Sequence, residues 1–271
     1  MTNPTASTII TKSKIVSKKA RKSALEMTNR SKASHIGSCL SVIDLLAVAF
    51  SQKTLDEFSS NNEILLSKGH AAAGLYAVLD ALHLLKHPLE SYCEDESQLY
   101  GHVNHHASSQ IPLSTGSLGH GLPFALGVAL SNKKLGNKQK TIVVISDGEL
   151  NEGTTWESAL VAPQLELSEM ILIIDRNRIQ SLGFTEETLR LDPIASKWES
   201  FGWDVIEIDG HNHFEILHAI SSKNTKPLCV IANTVKGKGV TFMENSIEWH
   251  YKAPSIEEMN LALSEIDEAE K

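Results

Sequence analysis

The chain has 271 residues, enough for one large domain or two small ones at roughly 100–200 residues each. Its 41% hydrophobic and 21% charged residues are those of an ordinary globular protein, not of a disordered or fibrous one. Lys and Arg number 25 against 33 Asp and Glu, and a net charge of −8 argues against general affinity for nucleic acid or an anionic membrane.

Residues 1–32 carry eight Lys or Arg against the single acid Glu26. Ile9, Ile10, Ile15, Val16, Ala20 and Leu25 are interleaved with those charges at helical spacing, which predicts a solvated amphipathic helix over 1–32 instead of a nucleic-acid arm. No apolar run approaches the ~18 residues of a membrane span, and the start lacks a signal-peptide core. Ser41 and Asp44 read as a capping box that opens an apolar helix through Phe50, and 71–85 reads as a second helix. A loop over 114–121 then runs into another Ala/Leu helix. Short β-branched runs at 141–145, 170–174, 203–208 and 228–231 have the character of buried parallel strands, separated by helical segments near 154–165, 192–201 and 212–222. Residues 256–271 hold six acids against Lys271, with Ile256, Met259, Leu261, Leu263 and Ile266 among them, and predict a last helix suited to docking on a partner. Strand–helix alternation predicts an α/β fold, a mostly parallel sheet flanked by helices on both faces, with ligands at the carboxyl ends of the strands. Asp147, Asp175 and Asp209 stand at such ends. With no repeat and no low-complexity linker, 1–271 reads as a single domain. Cys39, Cys93 and Cys229 show no CxxC spacing, which argues against a disulfide framework or zinc cluster and fits a cytoplasmic protein.

Ser146-Asp147-Gly148-Glu149-Leu150-Asn151-Glu152-Gly153 is followed, after a helix and a strand, by Asp175-Arg176-Asn177-Arg178-Ile179. The interval from Asp147 to Asn177 is one strand–helix–strand unit, so both side chains emerge at neighbouring strand ends. Two hard oxygen donors with little charge suit a Mg²⁺ that completes its shell with phosphate oxygens. Gly148 lets the backbone approach a phosphate closely. An Asp-Gly turn and an unrelated loop Asn remain the alternative for these residues taken alone. His102, His105 and His106 lack an obvious fourth ligand for a transition metal, and neither a Rossmann fingerprint nor a P-loop is present. Lys236-Gly-Lys-Gly239 after a strand reads equally as a generic phosphate loop or a direct cofactor contact.

At this point the sequence resembles the thiamine diphosphate enzymes, and among them the transketolases. The carriers, in family order, are Lys32-Ala-Ser-His-Ile-Gly37, Leu66-Ser-Lys-Gly-His70, Tyr100-Gly-His102, Ser114-Thr-Gly-Ser-Leu-Gly119, Asp147-Gly-Glu-Leu-Asn-Glu-Gly153, the 236–245 segment and Trp249-His250. Ser146 stands where the first Gly of the family's Gly-Asp-Gly usually does, and Tyr251 where a Gly often follows Trp-His. The resemblance implies a thiamine diphosphate-binding fold, with Mg²⁺ held by Asp147, Asn177 and the Ile179 carbonyl. It also implies that His70, His250 and Gly148 contact the diphosphate, that Gly116 and Leu118 touch the cofactor through their backbones, and that His35, His70, His102 and His250 line the pocket over the thiazolium and substrate. Glu152 and Glu157 resemble acids that face a partner subunit, ordinary helix N-terminal carboxylates being their alternative.

The Glu that activates the aminopyrimidine belongs in this family to a downstream pyrimidine-binding domain, for which 271 residues leave no room. The resemblance therefore implies the N-terminal subunit of a split transketolase, inactive alone. It would pair, as α₂β₂, with a separate C-terminal subunit and transfer a two-carbon ketol unit between sugar phosphates. The competing readings are the α subunit of a 2-oxo acid dehydrogenase and a non-catalytic binding or regulatory paralogue. His105, His106 and Tyr251 are candidates for altered substrate specificity.

Overall fold

The apolar strand runs alternate between two cores, and this alternation fixes the architecture of the computed structural model, which describes residues 5–268. Helix α1 (Ala6–Ser31) leads into α2 (Ile36–Leu55), β1 (Glu63–Leu66), α3 (Ala72–Ala81), α4 (Gly121–Leu135), β2 (Thr141–Ser146), α5 (Gly153–Gln164) and β3 (Met170–Arg176). A two-residue hairpin of β4 (Ile179–Gln180) and β5 (Gly183–Phe184) follows, then α6 (Thr185–Thr188), α7 (Ile194–Ser200), β6 (Asp204–Asp209), α8 (His213–Ser221), β7 (Leu228–Asn233) and α9 (Ile256–Glu268). Five strands form one parallel sheet in the order β1-β2-β3-β7-β6.

Ile142, Val144, Ile171, Ile173 and Val230 face the core shared with α1, α2, α3 and α8, whereas Val143, Ile145, Leu172, Ile174 and Cys229 face the core shared with α4, α5 and α7. Successive strand side chains point to opposite faces. A strand covered on both faces is therefore apolar at every position, which is why these runs lack polar alternation. The expected fold class holds. Strand β1 escapes the sequence pattern because its apolar run, Ile64 to Leu66, is too short to register.

Helix α2 departs from expectation in two ways. It begins at Ile36, so Ser41 and Asp44 lie buried in its interior and cap nothing. The Ser41 hydroxyl donates to Asp175 and the Asp44 carboxylate receives Arg21. By length and composition α2 could also cross a membrane, contrary to the sequence reading, yet its residues are almost all buried in the core. Helix α3 stops at Ala81, short of the expected end, and His83 beyond it takes φ +59°.

The charged ends of the chain meet each other. Helix α1 buries a stripe through Ile9, Val16, Ala20 and Ala24, with Ile15 left exposed. Helix α9 inserts Ala262 and Ile266 into the same core, and its Asp267 lies 2.6 Å from Lys22 and 3.4 Å from Lys18. The acidic helix thus docks on the basic helix of its own chain, with Ile256 and Leu261 left exposed. Residues 1–4 and 269–271 of the two expected helices lie outside the described residues.

Candidate active site

Four neighbouring strands deliver their carboxyl ends to one place. Lys68 follows β1, Asp147 and Gly148 follow β2, Asn177 follows β3, and Lys236 lies just beyond β7. There they border a cleft of about 230 Å³ whose lining contains His35, His70, His102, Gly116, Leu118, Asp147, Gly148, Asn177, Ile179 and His250. All the residues singled out for cofactor, metal or pocket roles are therefore brought together. Glu152 and Glu157 are not; both are exposed on or beside α5. Tyr251 is on the cleft wall, while His105 and His106 lie off it, His105 bonded to Ser114 at 2.7 Å.

Local bonding explains how each donor is presented. Asp147 opens a tight turn in which the Gly148 amide donates to its Oδ1 at 2.8 Å and the Arg178 amide donates to its Oδ2 at 2.6 Å. Ser146 caps this turn. Its hydroxyl accepts from the Glu149 amide at 3.2 Å while the Glu149 carboxylate accepts from the Ser146 amide, the reciprocal pattern of a capping box. A serine in place of glycine at 146 thereby has a structural use. The Asn177 Oδ1 accepts from the Ile179 amide at 3.1 Å, and its Nδ2 donates to Ser41 at 3.1 Å. His35 sits at φ +75° immediately before α2, and its amide donates to the His250 carbonyl at 2.9 Å. This uncommon backbone conformation centres the imidazoles, with ring centroids of His70, His102 and His250 at 5.2, 5.9 and 5.0 Å from that of His35.

Two buried lysines floor the cleft, and the sequence motifs assign neither of them individually to the site. Lys68 is fully buried, paired with Asp175, and also donates to the Ser38 carbonyl. Lys236 is 1% exposed and donates to the Ile179 carbonyl at 3.2 Å and to His250 Nδ1 at 2.8 Å. Among the described residues no carboxylate lies within ion-pair distance of Lys236, and burial followed by the neighbouring Lys68 pushes its pKa down to about 7. A buried cation without a counter-charge suits an anionic ligand. Opposite it, burial and then the nearby Asp175 push Asp147 up to about 6. Arg176, 3.5 Å from Asp147 and shared with Glu186 and Asp192, offsets this only in part, so the carboxylate is still short of positive charge. Carboxylate, amide and carbonyl oxygens make a hard donor set that fits Mg²⁺, and Lys236 with the Gly148 amide fits a diphosphate beside it.

The rings of His35, His70 and His250 are neutral at physiological pH. Burial first, and then neighbouring cationic groups, lower His35 to about 4 and His250 to about 3, and hold His70 well below its ordinary value. Because Lys236 donates to His250 Nδ1, that ring's own proton sits on Nε2. All three histidines protonate near pH 6.5 once unfolded, so the stability they supply is present above that value and is lost as pH falls toward 4 and 3. Asp147 and Glu149, both raised first by burial, act in the opposite sense over part of this window, but two carboxyls oppose three rings. We expect the calorimetric melting temperature of the cofactor-free chain to fall steadily from pH 6.5 to 4; a flat profile contradicts the assignment.

Loop 114–119 rests directly on the turn that carries His70. A Cβ at Gly69 would lie 2.1 Å from the Thr115 carbonyl oxygen, and Thr115 itself bonds the Leu66 carbonyl at 2.7 Å. Gly69→Ala must therefore push Gly116 and His70 apart. It is expected to cost about 1–3 kcal/mol, read from the denaturant midpoint.

Comparison with known proteins bears on the same residues. The chain matches, over residues 11–265, a family described as transketolase, thiamine diphosphate binding domain. The chain belongs to the transketolase family. It is 39% identical over 254 residues to one subunit of the apulose-4-phosphate transketolase of Actinobacillus succinogenes, covering 91% of this chain and 92% of that one. A 6-deoxy-6-sulfo-D-fructose transketolase subunit from a Clostridium species is 32% identical over 91% of this chain and 93% of its own length. Human transketolase is 34% identical over 86% of this chain, which spans only 38% of the human protein. The structure of Campylobacter jejuni transketolase superposes with a TM-score of 0.82 at 26% identity, covering 96% of this chain and 43% of that one. The cleft thus lies in the thiamine diphosphate-binding, N-terminal half of a transketolase.

Proposed function

We propose that this chain is the N-terminal subunit of a transketolase that moves a two-carbon ketol unit from a ketose, usually phosphorylated, to an aldose acceptor. The observation that carries the reading is the convergence of Asp147, Asn177 and the Ile179 carbonyl with the unpaired Lys236 and four histidines in one cleft. In this reading Asp147, Asn177 Oδ1 and the Ile179 carbonyl hold Mg²⁺, while Lys236, His70, His250 and the Gly148 amide receive the diphosphate. Gly116 and Leu118 contact the cofactor through their backbones. Thiamine diphosphate, when bound, supplies the carbon nucleophile that opens and closes the ketose carbon–carbon bond. The protein's part is binding and proton handling. An imidazole of His35, His70 or His102 can give a proton to a sugar oxygen or take one from it, whereas His250, whose Nδ1 lone pair is engaged by Lys236, can only give one through its Nε2–H.

A separate C-terminal, pyrimidine-binding subunit completes the site, in an α₂β₂ assembly. Support comes from the two relatives whose names make them transketolase subunits, which this chain matches over nine-tenths of their length. In this reading Glu152 and Glu157, which are exposed on or beside α5, face that second chain. The test is co-purification with a transketolase C-terminal subunit followed by a ketol-transfer assay with thiamine diphosphate and Mg²⁺. Transfer by the complex and none by the chain alone is expected. Decarboxylation of a 2-oxo acid instead would favour the dehydrogenase reading, and turnover by the isolated chain would overturn the split-subunit reading.

A further inference from the structure

Behind the cleft, on the far side of the loop that carries Lys236, lies a polar cluster with no assigned use. At its centre is Asp44 of α2, 4% exposed. Arg21 donates to both of its oxygens, at 2.9 and 2.6 Å, and His211 Nδ1 and His213 Nε2 lie 2.8 and 3.2 Å away. The second nitrogen of His211 decides what the cluster does. His211 Nε2 accepts the Val235 amide at 2.8 Å, so the ring's single proton must be on Nδ1, donated to Asp44. Arg21 spends its remaining Nε–H on the Lys238 carbonyl at 3.2 Å. One buried carboxylate therefore orients two side chains, and these grip the main chain immediately before and two residues after Lys236.

We propose that Asp44, acting through His211 and Arg21, is a positioning residue for Lys236, and that the clamp sets the loop so that the Lys236 ammonium reaches the diphosphate. Other bonds to the same loop show how much position matters there. The Gly237 amide donates to the Gly37 carbonyl at 3.0 Å, and a Cβ at Gly237, at φ +82°, would lie 2.3 Å from the Met243 carbonyl oxygen. The loop is closely packed at Gly237, and His211 holds the residue next to Lys236. Without His211, the Val235 amide loses its acceptor and Asp44 loses a donor.

The inference rests on the proposed diphosphate role of Lys236, and the test separates the two. Inorganic diphosphate with Mg²⁺ is titrated calorimetrically into the full chain, comparing wild type, His211→Leu, His211→Gln, Lys236→Met and the double variant His211→Leu/Lys236→Met, with thermal midpoints measured alongside. His211→Leu is expected to weaken binding about tenfold in the wild-type background and to change nothing further once Lys236 is Met, because coupled residues are non-additive. His211→Gln, whose amide can accept from Val235 and donate to Asp44, is expected to restore most of the affinity. Equal losses in both backgrounds, or a lowered melting temperature with unchanged affinity, would overturn the positioning role alone. No binding by the wild type would overturn the diphosphate reading of the cleft, and the inference with it. Should His211→Leu not fold, Asp44→Asn in the wild-type and Lys236→Met backgrounds decides: a loss of affinity confined to the wild-type background is required, and equal or absent losses overturn the positioning role.

Discussion

Asp147→Asn is expected to abolish Mg²⁺-dependent binding of thiamine diphosphate while leaving the cofactor-free fold as stable as before or more so. The two effects have one origin. Asp147 is 1% exposed, and burial with the neighbouring Asp175 pushes it up to about 6, so its charged form is held at a cost on the order of 2–3 kcal/mol at pH 7. An amide removes that cost. It keeps an oxygen for the Arg178 amide and gives up the acceptor of the Gly148 amide, which partly offsets the gain. Mg²⁺, by contrast, loses its only carboxylate among the proposed ligands. Changes one layer out from a metal typically cost 10–100-fold in affinity, so removal of this ligand should cost at least about 100-fold. Calorimetric titration with and without Mg²⁺ measures the first effect, and thermal denaturation the second. A variant that loses binding and stability together would instead mark Asp147 as a purely structural residue.

The largest expected loss of stability follows Lys68→Met. Burial alone would raise the pKa of Asp175, but Lys68 first and then the Ser41 and Thr234 hydroxyls outweigh it and hold this carboxylate below its usual range. Lys68 is the only cation paired with Asp175 among the described residues. Methionine would fill the space and leave a charge without a partner in the core. Breaking a buried pair from one side costs about 3–5 kcal/mol, whereas neutralising both sides costs far less. Lys68→Met/Asp175→Asn should accordingly recover much of what Lys68→Met loses, as read from urea midpoints with unchanged slopes. Equal stability of the single and double variants would show that the pair contributes nothing.

Legibility in the sequence differs between elements. Strands β2, β3 and β7 can be read because burial on both faces requires unbroken apolar runs, and the acid or amide that ends the run marks the edge of the sheet. The interval between Asp147 and Asn177 translates directly into neighbouring strand ends. Helix α2 misleads because Ser41 and Asp44 have the residue types of a cap; their partners, Asp175 and Arg21, are remote in sequence or on another helix, and local pattern carries no trace of them. The same limit hides Lys68 and Lys236. A lysine within Ser-Lys-Gly-His looks like an ordinary solvated side chain and Lys-Gly-Lys-Gly reads equally as a generic phosphate loop or a cofactor contact, and only tertiary packing reveals that both ammonium groups are buried. Apolar flanks such as Ala71-Ala72-Ala73 after Lys68 are the one available signal. His211 has no signal at all, since its use depends on a backbone amide of another segment.

Whether the strand-end cleft holds Mg²⁺ and a diphosphate together is decided by titrating thiamine diphosphate, in the presence and absence of Mg²⁺, into the chain assembled with the C-terminal subunit proposed to complete it. Saturable binding of one cofactor per chain that requires Mg²⁺, and that disappears with Asp147→Asn, is the predicted result. Binding that ignores both the metal and Asp147, or no binding by an assembled complex, would contradict it.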